Sequence, residues 1–472
     1  MNKKDKVKKK KDKAKTKKHN IRHKWKLGIE ELATKHFDVS SNAELIVREG
    51  NYQYNIHDLV KRFGTPLEVV FPFVIEERLN ELINTFKYYI RLNKYRGKFY
   101  FHYPMKVNQN KEFVLPIISE GAHIEVGSVN ELWIVKRMWE QEQFSRQIKV
   151  ICNGPKTNKY LGLIYELKQK GLDIVPIIED RYELDSLKEY RGELGIRVDP
   201  EIKVQSHWDK RIDRFGFPGR ELLELGRIRN LKILHYHIGS QIIKLEDMIS
   251  PLKKVMDVYI KLKAMNPTLD TINLGGGFAV PYIKRKMYSA DSIVKRLLRT
   301  LKEIADRRGI PHPNIIVEWG RYLVAPAQIT IYRIISQKPI PKSTASWWYI
   351  IDGSFINDLP DTWAIHQKWH VVPVNYLNAE RSSRVWLAGS SCDSDDKYTG
   401  NSNYVSLPRL EDLEQNDKSL YITFFDTGAY QDSLASHHCL LSSPAKIIAQ
   451  NGVITVARKR ETAEEVGKQF GW

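Results

Sequence analysis

Two hydrophobic rhythms divide the chain. From about residue 75 to 335, short apolar runs alternate with stretches of helical period. The runs are Phe99–Lys106, His123–Ser128, Val150–Asn153, Ile174–Glu179, Leu194–Asp199, Ile233–Ser240, Thr271–Gly276 and Ile315–Arg321. Between them, stretches such as Glu131–Glu140 and Leu252–Met265 repeat their apolar residues three and four apart, as one face of a helix does. Eight such runs over ~250 residues predict an α/β fold, a (β/α)8 barrel. A doubly wound open sheet is the alternative that periodicity leaves open. Beyond 335 the helical period stops. Trp347–Ile351, Arg384–Ala388, Leu420–Phe425, Ala445–Ile448 and Val453–Ala457 are short β-type runs divided by Gly, Asn, Asp and Ser. They predict a mostly antiparallel β domain over 336–472. Ahead of the barrel, residues 27–74 are mixed and are read as a segment joining that β domain. Ala43–Val47 reads as a strand, Asn55–Phe63 as a short helix opened by Asn55, and Leu67–Val74 as a strand-like run after a Gly64-Thr65-Pro66 break.

Apolar residues make up 42% and charged residues 28%, globular values that exclude a disordered, collagenous or disulfide-stapled chain. No stretch reaches the ~18 apolar residues of a membrane helix, so no membrane span is expected. The net charge of +19 resembles a nucleic-acid signature, but residues 1–26 alone hold fourteen Lys or Arg against two Asp, a net of +12. That tail is too polar to bury surface and is expected to be disordered. Loose attachment to a polyanion such as RNA, DNA or an anionic membrane is its alternative role. No apolar region follows in the manner of a secretory signal, and Cys152, Cys392 and Cys439 include no CxxC pair. A reducing cytoplasm is therefore expected.

Each barrel run ends in polar or glycine residues: Lys106, Glu125, Asn153, Glu179, Arg197, His237, Gly275–Gly277 and Glu318. Barrel active sites lie at that end of the strands. One such residue alone would read as a satisfied core group; eight together point to a site. Gly275-Gly276-Gly277 can present backbone N–H groups to an anion. Gly239-Ser240 and Gly320-Arg321 on the neighbouring strand ends would add a hydroxyl and a guanidinium, which completes a phosphate cup. Lys106 is expected to be buried, with a depressed pKa suited to binding a carbonyl group covalently; a structural ion pair with Glu125 or Glu318 is the plain alternative. A phosphate cup, a lysine and a carboxylate at one barrel mouth suggest pyridoxal 5′-phosphate. Arg197 reads as a structural ion pair with Glu125 or Glu179. His235 reads as a core residue, Cys152 and Cys439 as structural, and Asp199 to Arg214 as a charged loop.

The motifs Tyr103-Pro104-Met105-Lys106-Val107-Asn108-Gln109, Glu125-Val126-Gly127-Ser128, His235-Tyr236-His237-Ile238-Gly239-Ser240-Gln241, Gly275-Gly276-Gly277, Glu318-Trp319-Gly320-Arg321, Cys392-Asp393-Ser394-Asp395 and Gly428-Ala429-Tyr430-Gln431 follow one another in order. With them the chain resembles the barrel-type, alanine-racemase-fold, pyridoxal phosphate-dependent decarboxylases. Leu359-Pro360-Asp361-Thr362-Trp363-Ala364-Ile365-His366-Gln367 is most similar to a stretch typical of the biosynthetic arginine decarboxylases. The resemblance implies that Lys106 holds the cofactor covalently and that His237 stacks on its ring. It implies that Ser240, Gly275, Gly276, Gly277, Gly320, Arg321 and Tyr430 bind it, chiefly at the phosphate, and that Glu318 pairs with the ring nitrogen. Cys392 would return a proton to Cα, and Asp393 or Asp395 would attract the distal cation of a basic amino acid. It further implies a homodimer in which Cys392, Asp393 and Asp395 serve the partner's active site. A dependence on magnesium rests on the resemblance alone; no metal-ligand spacing is present. The implied reaction is decarboxylation of L-arginine to agmatine and CO2, for polyamine synthesis. The alternatives are diaminopimelate, ornithine or carboxynorspermidine as substrate, or a non-catalytic regulatory homologue. Trp319 stands where the family usually has Ser or Pro, and is expected to reshape the edge of the cofactor site.

Overall fold

A computed structural model describes residues 18–141, 148–202, 214–283, 287–399, 404–413 and 419–472. The expected disordered tail lies outside this range up to residue 17, as does most of the charged loop after Asp199. Residues 18–25 are helical, however, which corrects the reading of 1–26 as one unfolded tail. The reason is Trp25: its ring is buried and its indole N–H donates to the Leu377 carbonyl at 2.8 Å, so this end of the segment does bury apolar surface.

The chain divides into two compact units. One comprises Ile75–Val280 and Met287–Val324. Its eight parallel strands are β1 (Phe99–Pro104), β2 (His123–Val126), β3 (Lys149–Cys152), β4 (Asp173–Ile178), β5 (Leu194–Asp199), β6 (Leu231–His235), β7 (Thr271–Asn273) and β8 (Asn314–Val317). Each pairs with the next, β8 pairs with β1, and Ile177 opposite Gly195 joins β4 to β5, so the sheet is a closed barrel. Ile151, Val175, Ile177, Ile233 and Ile316 fill its centre, the β-branched side chains a twisted parallel sheet packs best. The outer helices start where side chains accept from their first free N–H groups: Ser128 from Glu131, Thr157 from Tyr160, Ser289 from Ser292.

The other unit comprises Met1–Val74, Pro281–Lys286 and Ala325–Trp472. A short sheet (Phe37–Val39, Leu45–Glu49, Tyr52–Asn55) runs into the helix Ile56–Phe63, whose cap is Asn55. Leu67–Val74 is not one strand: Leu67–Val70 is a strand, and Pro72 opens a helix that runs to Leu92. Proline fits a first helical turn because the missing N–H would have no partner there. The larger sheet is antiparallel at most of its pairings. Leu67–Val70 lies in it between Gln328–Pro339, antiparallel, and Ala445–Gln450, parallel. The strand Gln328–Pro339 belongs to this sheet, so the barrel unit ends at Val324, not 335. No helix among the described residues is long and apolar enough to cross a membrane.

Candidate active site

Lys106 sits in a single turn, Met105–Val107, directly after β1. Met105 and Val107 are buried and anchor the turn, while the Lys106 side chain is exposed. The Tyr103 hydroxyl donates to the Asn108 carbonyl at 2.9 Å and holds the turn from below. Gly320 presses on it so closely that a Cβ there would lie 2.7 Å from Pro104 and 2.8 Å from Val107. The expectation of a buried Lys106 is therefore corrected. The fully buried lysine of this barrel is Lys156, which sequence reasoning missed. Its Nζ meets Glu183 at 3.0 Å and donates to the Gly154 carbonyl at 2.9 Å, so its charge is satisfied where it lies.

Two buried carboxyls share the strand ends with Lys106. Glu318, just past β8, accepts from Asn273 Nδ2 at 2.7 Å and from Asn153 Nδ2 at 3.4 Å. Asn273 also accepts from the Gly275 N–H at 2.9 Å, tying this carboxylate to the glycine run. Sequence reasoning missed Asn273, although an amide closing the apolar strand β7 was the available signal. Glu125 on β2 is equally buried, and its Oε2 has no hydrogen-bond partner among the described residues. Burial pushes both carboxyls up; the Glu318 charge pushes Glu125 further, while the Lys106 charge pulls both back. Two like charges so close resist ionising together. Asn153 lowers both carboxyls, but Asn273 donates to Glu318 alone and favours the anion there, so the retained proton belongs on Glu125. Arg197 pairs with Glu179 at 3.1 Å, a structural ion pair with one of its two expected partners. His235 is a core residue, held neutral by burial and by the Arg197 and Lys106 charges.

The glycine run forms a cradle around His237. Gly275 has φ +62° and Gly277 φ +108°, regions an L side chain enters with strain. The Gly276 N–H donates to His237 Nδ1 at 3.1 Å, and a Cβ on Gly276 would lie 3.2 Å from His237 Cε1. Ser240 is half-buried after β6, and Arg321 is buried after β8. Trp319 does not enter this cradle, contrary to expectation. Its ring packs on Phe278 and Phe86, centroids 4.9 and 6.0 Å away, within the apolar layer.

The other unit carries Cys392, Asp393, Asp395 and Tyr430. Cys392 is exposed on the loop after Ser382–Ala388. Asp393 Oδ2 meets His438 Nε2 at 3.0 Å, and Asp395 meets Lys397 at 3.2 Å. The next residue, Asp396, turns inward and accepts from the Phe355 N–H at 2.7 Å. Asp393 and Asp395 thus point outward while Asp396 pins the loop. Cys439 is exposed, and its Sγ lies 3.4 Å from that of Cys392. Tyr430 is half-buried at φ 71°.

Residues 80–325 match the pyridoxal-binding domain of the pyridoxal-dependent decarboxylases. A biosynthetic arginine decarboxylase of Phocaeicola vulgatus is 24% identical over 86% of this chain and 84% of its own length. One from Marinobacter nauticus is 25% identical over 80% of this chain and 79% of its own. Among solved structures, the biosynthetic arginine decarboxylase SpeA of Campylobacter jejuni superposes with a TM-score of 0.78 at 19% identity, covering 91% of this chain and 89% of its own. Diaminopimelate decarboxylase of M. jannaschii in complex with L-lysine gives 0.79 at 22% identity, covering 93% and 98%. The barrel mouth fits the pyridoxal group that the matched family is named for. It offers an exposed amine, a carboxylate oriented by two amides, and a glycine cradle that any Cβ would obstruct. With its pyridoxal-binding domain matched over more than half of its length, the chain belongs to the pyridoxal-dependent decarboxylase family.

Proposed function

We propose that this enzyme decarboxylates L-arginine to agmatine and CO2. The observation that carries the substrate is the loop after Cys392. Asp393 and Asp395 face outward, and the Asp395 N–H and then His438 hold the Asp393 carboxyl below its usual range, so it stays anionic. Each also meets a cation in a solvent-accessible ion pair, Asp393 with His438 and Asp395 with Lys397, which contributes little and is readily exchanged for an arriving cation. A guanidinium suits such carboxylates through paired N–H donors. A distal carboxylate, as on diaminopimelate, would be repelled. The arginine decarboxylase relatives and the Leu359–Gln367 motif support the same choice.

In this reading Lys106 would hold pyridoxal phosphate covalently. Bound there, the cofactor would supply an electron-poor ring that takes up the electron pair released with CO2. Glu318 would pair with the ring nitrogen and keep it protonated, and His237 would support the ring face. Ser240, Gly275, Gly276, Gly277, Gly320, Arg321 and Tyr430 would hold the phosphate end. Cys392 then returns a proton to Cα. Its pKa is raised, chiefly by the bond to Cys439, so the thiol keeps its proton until it is needed. The active unit is a homodimer in which the Cys392 loop serves the partner subunit.

Supplying arginine, ornithine, lysine and diaminopimelate in turn tests this. Arginine should give agmatine and CO2 with kcat/KM at least tenfold above the others, or ~1.4 kcal/mol of discrimination. Turnover of another amino acid without agmatine would reassign the substrate. Cys392→Ala should lower kcat by roughly 10²–10⁴, the usual worth of a positioned proton donor.

A further inference from the structure

The contact between Cys392 and Cys439 is built from both sides. The residues are 47 apart in sequence, yet their sulfurs lie 3.4 Å apart. Buried Asn357 clamps the Cys439 turn: its Oδ1 accepts from the His438 N–H at 2.9 Å, and its Nδ2 donates to the His438 carbonyl at 2.9 Å. Buried Asp396 clamps the Cys392 loop, accepting from the Ser391 N–H at 3.3 Å and, through its carbonyl, from the Gly389 N–H at 2.8 Å. The His438–Asp393 pair, at 3.0 Å, ties the two segments together. Both sulfurs are exposed. The third cysteine, Cys152, is buried, and its thiol is pushed up to about 12, so it serves as an unreactive internal control.

We propose that Cys392 and Cys439 form a reversible dithiol–disulfide site, oxidised by hydroperoxides. One thiolate sulfur attacks the peroxide, the O–O bond breaks, and a sulfenic acid and an alcohol, or water, result. The second sulfur then attacks the sulfenic sulfur. An S–S bond forms, and hydroxide leaves with the second thiol's proton as water. Overall two thiols and one hydroperoxide give one disulfide, one water and one alcohol or water. The sulfurs need only close from 3.4 Å to the ~2.05 Å of a disulfide. A dithiol reductant reverses the step by exchange. The disulfide removes the Cys392 proton and so stops turnover; this consequence, unlike the pair itself, rests on the proton-donor role proposed above. It also shields Cys392 from irreversible oxidation.

The test is to treat the purified, cofactor-loaded enzyme with hydrogen peroxide and map its peptides without reduction. A single cross-link joining residues 392 and 439, two hydrogens lighter than the separate peptides, is expected, with Cys152 unmodified. Turnover of whichever amino acid the enzyme accepts should fall at least tenfold and return with dithiothreitol. Cys439→Ser should form no cross-link and accumulate sulfinic acid at Cys392 that dithiothreitol does not reverse. Equal, irreversible inactivation of both proteins with no cross-link would overturn the proposal. A cross-link that leaves turnover intact would uphold the site and overturn the proton-donor role of Cys392.

Discussion

Glu125 and Glu318 are buried alike and differ in their partners. Asn273 and Asn153 donate to Glu318, whereas Glu125 Oε2 has no partner among the described residues. Burial and the Glu318 charge push Glu125 up to about 8. The unfolded chain ionises this group near ~4.3, so the folded state binds the extra proton. The native state therefore loses stability as pH rises from about 4 to about 8, and keeps that deficit above. Glu125→Gln cannot ionise and escapes the loss. Its melting temperature relative to wild type should rise between about pH 5 and pH 8.5, as thermal unfolding at both values would reveal. Equal offsets at the two values would place the proton elsewhere. Lys106, Cys392 and the carboxylate at 318 stand out in the sequence because each lies in a local motif. Asn273, Lys156 and Cys439 do not, because what gives each its role lies far away in sequence: Glu318, Glu183 and Cys392.

At the scale of elements, all eight barrel strands were legible, since a strand buried on both faces must be an unbroken apolar run. The misreadings sit where an apolar run changes owner. Leu67–Val74 continues through Phe71 into a helix that only Pro72 announces, and Gln328–Pro339 continues an apolar stretch that begins in the short helix Gly320–Val324. Between β7 and the next helix, the glycine run depends on backbone shape. At Gly277, with φ +108°, an added Cβ would lie 3.1 Å from the Gly239 carbonyl. Gly277→Ala should deform both sides of the cradle and weaken pyridoxal phosphate binding by about tenfold or more, ~1.4 kcal/mol. Titration of the cofactor-free enzyme, followed by absorbance, measures this. An unchanged affinity would remove the run from the phosphate site.

For the whole molecule, the basic segment that looked like a solvated tail ends in a structural anchor. Trp25 donates to the Leu377 carbonyl, and the Trp25 carbonyl accepts from His370 at 3.0 Å. Trp25→Ala removes a buried ring and leaves the Leu377 carbonyl without its indole donor, so the sheet-bearing unit should lose about 3–5 kcal/mol, read from its urea midpoint. A loss below about 1 kcal/mol would mean that the anchor is dispensable.

Chain order adds a constraint in time. Leu67–Val70 has one sheet neighbour at Gln328–Pro339 and the other at Ala445–Gln450, with the whole barrel encoded between. At ribosomal speeds of about 5–20 residues per second, its parallel neighbour is synthesised roughly 20–75 s after it. The barrel has all its strands in hand well before then. During translation the early apolar strand therefore waits with bare edges while a later domain matures, a natural client for a holding chaperone until the last strands arrive.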